Sequence, residues 1–132
     1  GTEAIKEILM NIRPDSPGTV LAQHLPRAFS AAFAKRMDSI SPMAVCEAED
    51  GQHVLPGHAY IAPGDRHLLL VRNGARYYIK LDDGELCNRH KPSVDVMFRS
   101  VEDAAGKNAI GSLLTGMGAD GALGLKEMNE TG

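Results

Sequence analysis

His24 and Asp120 are the two residues whose types and settings could do chemistry together. His24 follows the apolar run Gly18-Thr-Val-Leu-Ala-Gln23. Asp120 lies in the glycine turn Gly116-Met-Gly-Ala-Asp-Gly121, which follows the apolar run Asn108-Ala-Ile-Gly-Ser-Leu-Leu-Thr115. An imidazole can take the proton of a nucleophile, and a carboxylate can fix its tautomer and stabilise the imidazolium that forms. Each residue also has a plainer use: a histidine at a strand end often bonds only to backbone, and an aspartate in a glycine turn often caps a helix. What brings the two together is their position after short, continuously apolar runs, which read as strands buried on both faces. In an open parallel sheet the turns at the carboxyl ends of the strands line the crevice that holds ligands.

The elements around these turns follow from spacing. Thr2 to Met10 places Ile5, Ile8 and Leu9 on one helical face, and Pro14-Asp-Ser-Pro17 makes a turn into the strand that ends at His24. Pro26 suits a first helical position, and Phe29, Ala32, Phe33 and Met37 recur at helical spacing before Ser41-Pro42 ends the helix. Met43 to Ala48 is a third short element, expected as a parallel strand. The middle of the chain is punctuated differently, by Glu49-Asp-Gly51, Pro56-Gly57, Pro63-Gly-Asp65, Asn73-Gly74 and Asp83-Gly84. Asn73-Gly74, between His67-Leu-Leu-Leu-Val71 and Tyr77-Tyr-Ile-Lys-Leu81, predicts a hairpin with a type I′ turn. Ser93 is placed to cap a helix that buries Val94, Met97, Phe98, Val101 and Ala105 and closes at Gly106. Ala122 to Met128 reads as the helix after the Asp120 turn. The fold class predicted is α/β: a doubly wound, mostly parallel sheet with helices on both faces and an inserted antiparallel β-hairpin.

Other constellations are weaker. Gly116, Gly118 and Gly121 match G-x-G-x-x-G, but Asp120 would put a carboxylate into a cradle meant for pyrophosphate, and the acidic partner about 20 positions on falls beyond Gly132. His53, His58 and His67 with Cys46 match no compact metal-ligand spacing and fall among the hairpin strands, so no metal is expected. Asn88-Arg89-His90 precedes a helix and could face the crevice as a substrate-binding loop, or be a solvated polar loop.

With 132 residues and 43% hydrophobic side chains the chain can bury one core. A net charge of -3, with cations scattered singly, argues against nucleic acid as a partner. No apolar run reaches the roughly 20 residues of a membrane span, and a soluble, cytoplasmic protein with Cys46 and Cys87 as reduced thiols is expected. Residues 1–132 read as part of a domain, since the chain opens inside an element and stops where a parallel strand should follow.

Six segments in register carry a family resemblance. They are Gly1-Thr-Glu-Ala4, Gln23-His-Leu-Pro26, Ala48-Glu-Asp-Gly51, Val54-Leu-Pro-Gly-His-Ala-Tyr-Ile-Ala-Pro-Gly64, Asn88-Arg-His-Lys-Pro-Ser-Val-Asp95 and Leu114-Thr-Gly-Met-Gly-Ala-Asp-Gly121. Together they resemble the catalytic domain of the CheB family, the chemotaxis receptor protein-glutamate methylesterases. The resemblance implies hydrolysis of γ-glutamyl methyl esters, and deamidation of certain glutamines, on methyl-accepting chemotaxis receptors. It implies a Ser-His-Asp mechanism with no cofactor, His24 and Asp120 as the triad histidine and aspartate, and the Met117 N–H as an oxyanion donor. It also implies a receiver domain in the intact parent.

One departure from the family pattern stands out. The family's nucleophilic serine lies in Gly-x-Ser-Thr-Gly-Gly-Thr-Glu-Ala, and this sequence starts at the second glycine of the Gly-Gly pair. Ser16, Ser30, Ser39, Ser41, Ser93, Ser100 and Ser112 do not match that motif. The 132 residues alone are therefore expected to be inactive. The alternative, from another class, is a non-catalytic module that binds receptor helices.

Overall fold

The structure, a computed structural model, describes residues 2–83, 94–106, 109–112 and 121–125. The chain order is α1 (Thr2–Asn11), β1 (Gly18–Ala22), α2 (Arg27–Ile40), β2 (Ala44–Glu47), β3 (His58–Ile61), β4 (His67–Asn73), β5 (Arg76–Asp82), α3 (Val94–Ala105), β6 (Ala109–Ser112) and β7 (Gly121–Leu125). Five strands form one sheet in the order β2-β3-β1-β7-β6, and β4 and β5 form a separate antiparallel hairpin. β1 and β2 both run parallel to β3. β7 is antiparallel to β1 and to β6, so β6 runs in the direction of β1 and four of the five strands point one way. The fold is α/β with a mostly parallel sheet, as its sequence pattern predicts.

Strand alternation divides the core into two layers. Leu21, Val45, Ala59 and Ile61 face Ile5 and Leu9 of α1 and Ala34 and Met37 of α2. Val20, Ala22, Tyr60 and Ala62 face the hairpin residues Leu68, Leu70 and Ile79, together with Met97 and Val101 of α3. All five residues of β1 are buried, and both of its edges are paired. Each fully buried aliphatic side chain in these layers contributes about 1.5–3 kcal/mol relative to exposure. In α2 the buried residues are Ser30, Ala34 and Met37, while Phe29 is 61% exposed.

Three sequence expectations are corrected. Gly121 to Leu125 forms strand β7, not the start of a helix. Gly121 and Gly124 each cost about 1 kcal/mol against alanine in a helix, and pairing with β1 from Gly18↔Leu125 to Ala22↔Gly121 satisfies backbone groups along that edge. His58 heads β3 in the main sheet rather than sitting in the hairpin, and His67 is 3% exposed at the start of β4. The hairpin turn is centred on Gly74-Ala75, not Asn73-Gly74, because Asn73 still pairs with Arg76. Gly74 alone has positive φ, 64°, the pattern of a II′ turn with glycine first.

Tyr60 links the sheet to the segment ahead of it. Its hydroxyl donates to the His53 carbonyl at 3.0 Å and accepts the Leu55 N–H at 2.9 Å, while His53 forms a bridge to Tyr78 of the hairpin. Burial raises the Tyr60 phenol above its ordinary value and likewise raises the Cys46 thiol. Both groups hold their protons more tightly when folded, so their contribution is complete at neutral pH. It is lost as pH climbs past the ordinary thiol value of 9.0. Tyr60→Phe leaves the Leu55 N–H without its acceptor, and urea unfolding should show a loss of about 1–3 kcal/mol with a shallower alkaline decline than the unsubstituted chain.

Candidate active site

The carboxyl end of β1 is where the chain turns from sheet to helix. After Ala22 the Leu25 N–H closes a tight turn on the Gln23 carbonyl at 2.9 Å. Pro26, extended at φ -59° and ψ 146°, then caps α2 without a side-chain bond. Proline cannot continue a ladder and presets φ for a helix start, so the turn is brief. His24 stands exposed in it, with Gln23 buried at its side.

Two neighbouring parallel strands end beside this turn, and Ser30 ties them to it. Ser30, fully buried near the start of α2, donates its hydroxyl to Glu47 Oε2 at 2.6 Å and accepts the Gly64 N–H at 3.0 Å. One hydroxyl thus joins the first turns of α2, the end of β2 and the loop after β3. A hydrogen bond to a carboxylate is worth about 1.5–3 kcal/mol, roughly twice a neutral one. Gly64 completes the joint by close approach: a Cβ there would lie 2.4 Å from the Arg27 nitrogen and 2.7 Å from the Leu25 oxygen. The ladder continues this bracing, with Ala62 N–H bonding the Leu21 carbonyl at 2.9 Å and Ala48 N–H bonding the Ile61 carbonyl at 2.8 Å.

Next to the turn, a cleft of about 320 Å³ is lined by Arg27, Glu47, Glu49, Asp50, Pro63 and Arg66, among others. Several of its charges are already engaged. Arg66 Nε meets Asp83 Oδ1 at 2.8 Å, Glu47 accepts from Ser30, and Asp50 Oδ1 accepts the Leu81 N–H at 2.8 Å. Among the described residues no three of His, Cys, Asp and Glu gather as a metal site. His53 lies against Tyr78 with ring centroids 5.1 Å apart, and His58 Nδ1 is 3.0 Å from the Pro56 carbonyl oxygen.

Of the sequence-derived site residues, His24 is placed at the carboxyl edge of the sheet, as its position after β1 requires. Asp120, Met117, Asn88, Arg89 and His90 lie outside the described residues, as does Cys87. Sequence reasoning missed the Ser30, Glu47 and Gly64 joint. Pro63-Gly-Asp65 was legible as a turn, but nothing local announces that its glycine packs on backbone 37 residues upstream at Arg27.

The comparisons with known proteins decide the family. The family model described as CheB methylesterase matches residues 1–132. The chain belongs to the CheB methylesterase family. Relatives named protein-glutamate methylesterase/protein-glutamine glutaminase are 58% identical in Thiobacillus denitrificans and 59% identical in Hydrogenovibrio crunogenus, over the whole of this chain and 37% and 35% of theirs. The chain thus spans about a third of the length of these CheB relatives. The crystal structure of the Thermotoga maritima CheB methylesterase catalytic domain is similar at a TM-score of 0.74 and 36% identity, over 78% of this chain and 55% of that one. Among the described residues no helix is long and apolar enough to cross a membrane.

Gly64→Ala should disrupt the joint, since the nearest atoms are backbone and cannot rotate away. Thermal unfolding should show a loss of about 1–3 kcal/mol or more, the range for forced overpacking. A neutral result would show that the loop is free to move from Arg27.

Proposed function

We propose that this sequence is part of a serine-type esterase and amidase that hydrolyses γ-glutamyl methyl esters, and deamidates glutamines, on chemotaxis receptors in the cytoplasm. His24 acts as general base toward a serine supplied by the segment that precedes Gly1 in the family's pattern. It then protonates the departing methanol or ammonia. Asp120 fixes the imidazole tautomer and stabilises the imidazolium. The Met117 N–H helps to hold the oxyanion, a donor whose loss would cost about 10²–10³-fold in kcat. Asn88, Arg89 and His90 contact the substrate polypeptide, and a receiver domain elsewhere in the parent regulates access.

The observation that carries this reading is the position of His24, at the carboxyl end of a strand buried on both faces and paired on both edges. Register adds support: Ala22, two residues before His24, pairs with Gly121, the residue after Asp120 in sequence. Relatives over 50% identical along the whole chain carry the methylesterase and glutaminase name.

Two assays test it. The 132 residues alone should release no methanol from a methylated receptor, whereas the chain extended upstream through the serine segment should. In the extended chain His24→Ala should lower kcat/KM by about 10⁴- to 10⁶-fold, the scale seen when a triad histidine is removed. Full activity of that variant would refute the assignment, and binding of receptor helices without turnover in the unsubstituted extended chain would favour a non-catalytic module.

A further inference from the structure

Ser30 carries a hydroxyl that the proposed reaction does not use. It is fully buried, so no ester can reach it as a nucleophile, yet its oxygen is closely engaged. It donates to Glu47 Oε2 at 2.6 Å, lies 3.3 Å from the Arg27 carbonyl oxygen and accepts the Gly64 N–H at 3.0 Å. A hydroxyl has one hydrogen, and the short bond to the carboxylate claims it. That bond fixes the rotor and leaves a lone pair for Gly64. Gly64 in turn presses backbone to backbone on the residues that follow His24, since a Cβ there would meet the Leu25 oxygen at 2.7 Å and the Arg27 nitrogen at 2.4 Å. We propose that Ser30, its hydroxyl oriented by Glu47, is a positioning residue for His24, acting through Gly64 and the backbone from Leu25 to Arg27. The inference rests on the esterase and amidase reading above.

The turn that carries His24 is held from two sides. On one side stands the enclosed strand β1; on the other the turn rests on the first turn of α2, where the Phe29 and Ser30 N–H groups bond the Pro26 carbonyl at 2.9 and 3.2 Å, and on the Gly64 loop. A serine near a helix start often does no more than bond back to a carbonyl of its own turn, and the approach to Arg27 is that contact. The bond from Gly64 is of another kind, because it ties the helix to a loop that comes from β3. Without the hydroxyl, the buried Gly64 N–H has lost its acceptor, and a loop that shifts to find another gives up its hold on Leu25. A general base misplaced by about 1 Å loses on the order of 10²-fold in rate, while groups that bind substrate elsewhere are untouched.

The test is methanol release from methylated receptor by the intact parent chain, with kcat and KM separated and the unfolding midpoint of each variant measured alongside. Ser30→Ala should lower kcat by roughly 10- to 100-fold and leave KM within about twofold. Glu47→Ala frees the rotor but keeps the acceptor for Gly64, so its loss in kcat should be smaller, and Glu47→Gln, which retains an acceptor oxygen, should restore most of it. Tyr60→Phe also removes a buried acceptor, but from the Leu55 N–H in the segment ahead of β3, and should keep its kcat. Near-normal kcat in folded Ser30→Ala, a loss confined to KM, or an equal loss of kcat in Tyr60→Phe would overturn the proposal and leave Ser30 a structural bond only. If Ser30→Ala does not fold, Glu47→Ala decides, and an unchanged kcat there overturns the proposal. An inactive unsubstituted parent would instead sink the esterase reading, and this inference with it.

Discussion

The constraint on which the rest depends is the complete enclosure of β1. Its five residues are buried, β3 pairs with one edge and β7 with the other, and hydrophobic layers cover both faces. A strand held on four sides cannot translate or change register without exposing a whole set of side chains, because a one-residue slip exchanges its two faces. The residues that follow it inherit that fixity. Gln23 and His24 leave the sheet at a point set by the core, and their own turn is only a few residues long.

Ser30 extends the constraint to the neighbouring strand ends. Its hydroxyl bonds reach Glu47 at the end of β2 and Gly64 after β3, and both lie beside the turn that carries His24. A group that must abstract and return a proton works within a few tenths of an ångström of its partner, so a rigid platform matters more than the chemical identity of the bracing residues. The cleft next to the turn is lined by residues of the same three segments, Arg27, Glu47 and Pro63 among them, and by Leu81 of β5.

Much of this arrangement was legible in the sequence. β1, β2, α2, the hairpin and α3 follow from apolar runs, helical spacing and turn residues, all of which are local signals. β7 was not legible, because Gly121-Ala-Leu-Gly-Leu125 carries apolar residues compatible with either a helix or a strand, and the choice is made by β1 across the ladder. His58-Ala-Tyr-Ile61 reads as a hairpin strand because it has the same glycine-punctuated setting, yet its partners are β1 and β2. His24 could be found as a candidate from its place after a buried strand. The joint of Ser30, Glu47 and Gly64 could not, since contacts between distant segments exist only once the packing is known.

The central claim is that the His24 imidazole, at the end of the enclosed strand, serves a serine nucleophile. The most direct measurement is nitrogen-15 NMR of the histidine rings in the chain extended through its serine segment, before and after the serine is phosphonylated. The His24 ring nitrogens are expected to change chemical shift on phosphonylation, as one of them exchanges the serine hydroxyl for an oxygen of the adduct, with the largest change among the five histidines falling on His24. His24 ring-nitrogen shifts that are identical in both states, or a change centred on another histidine, would contradict it.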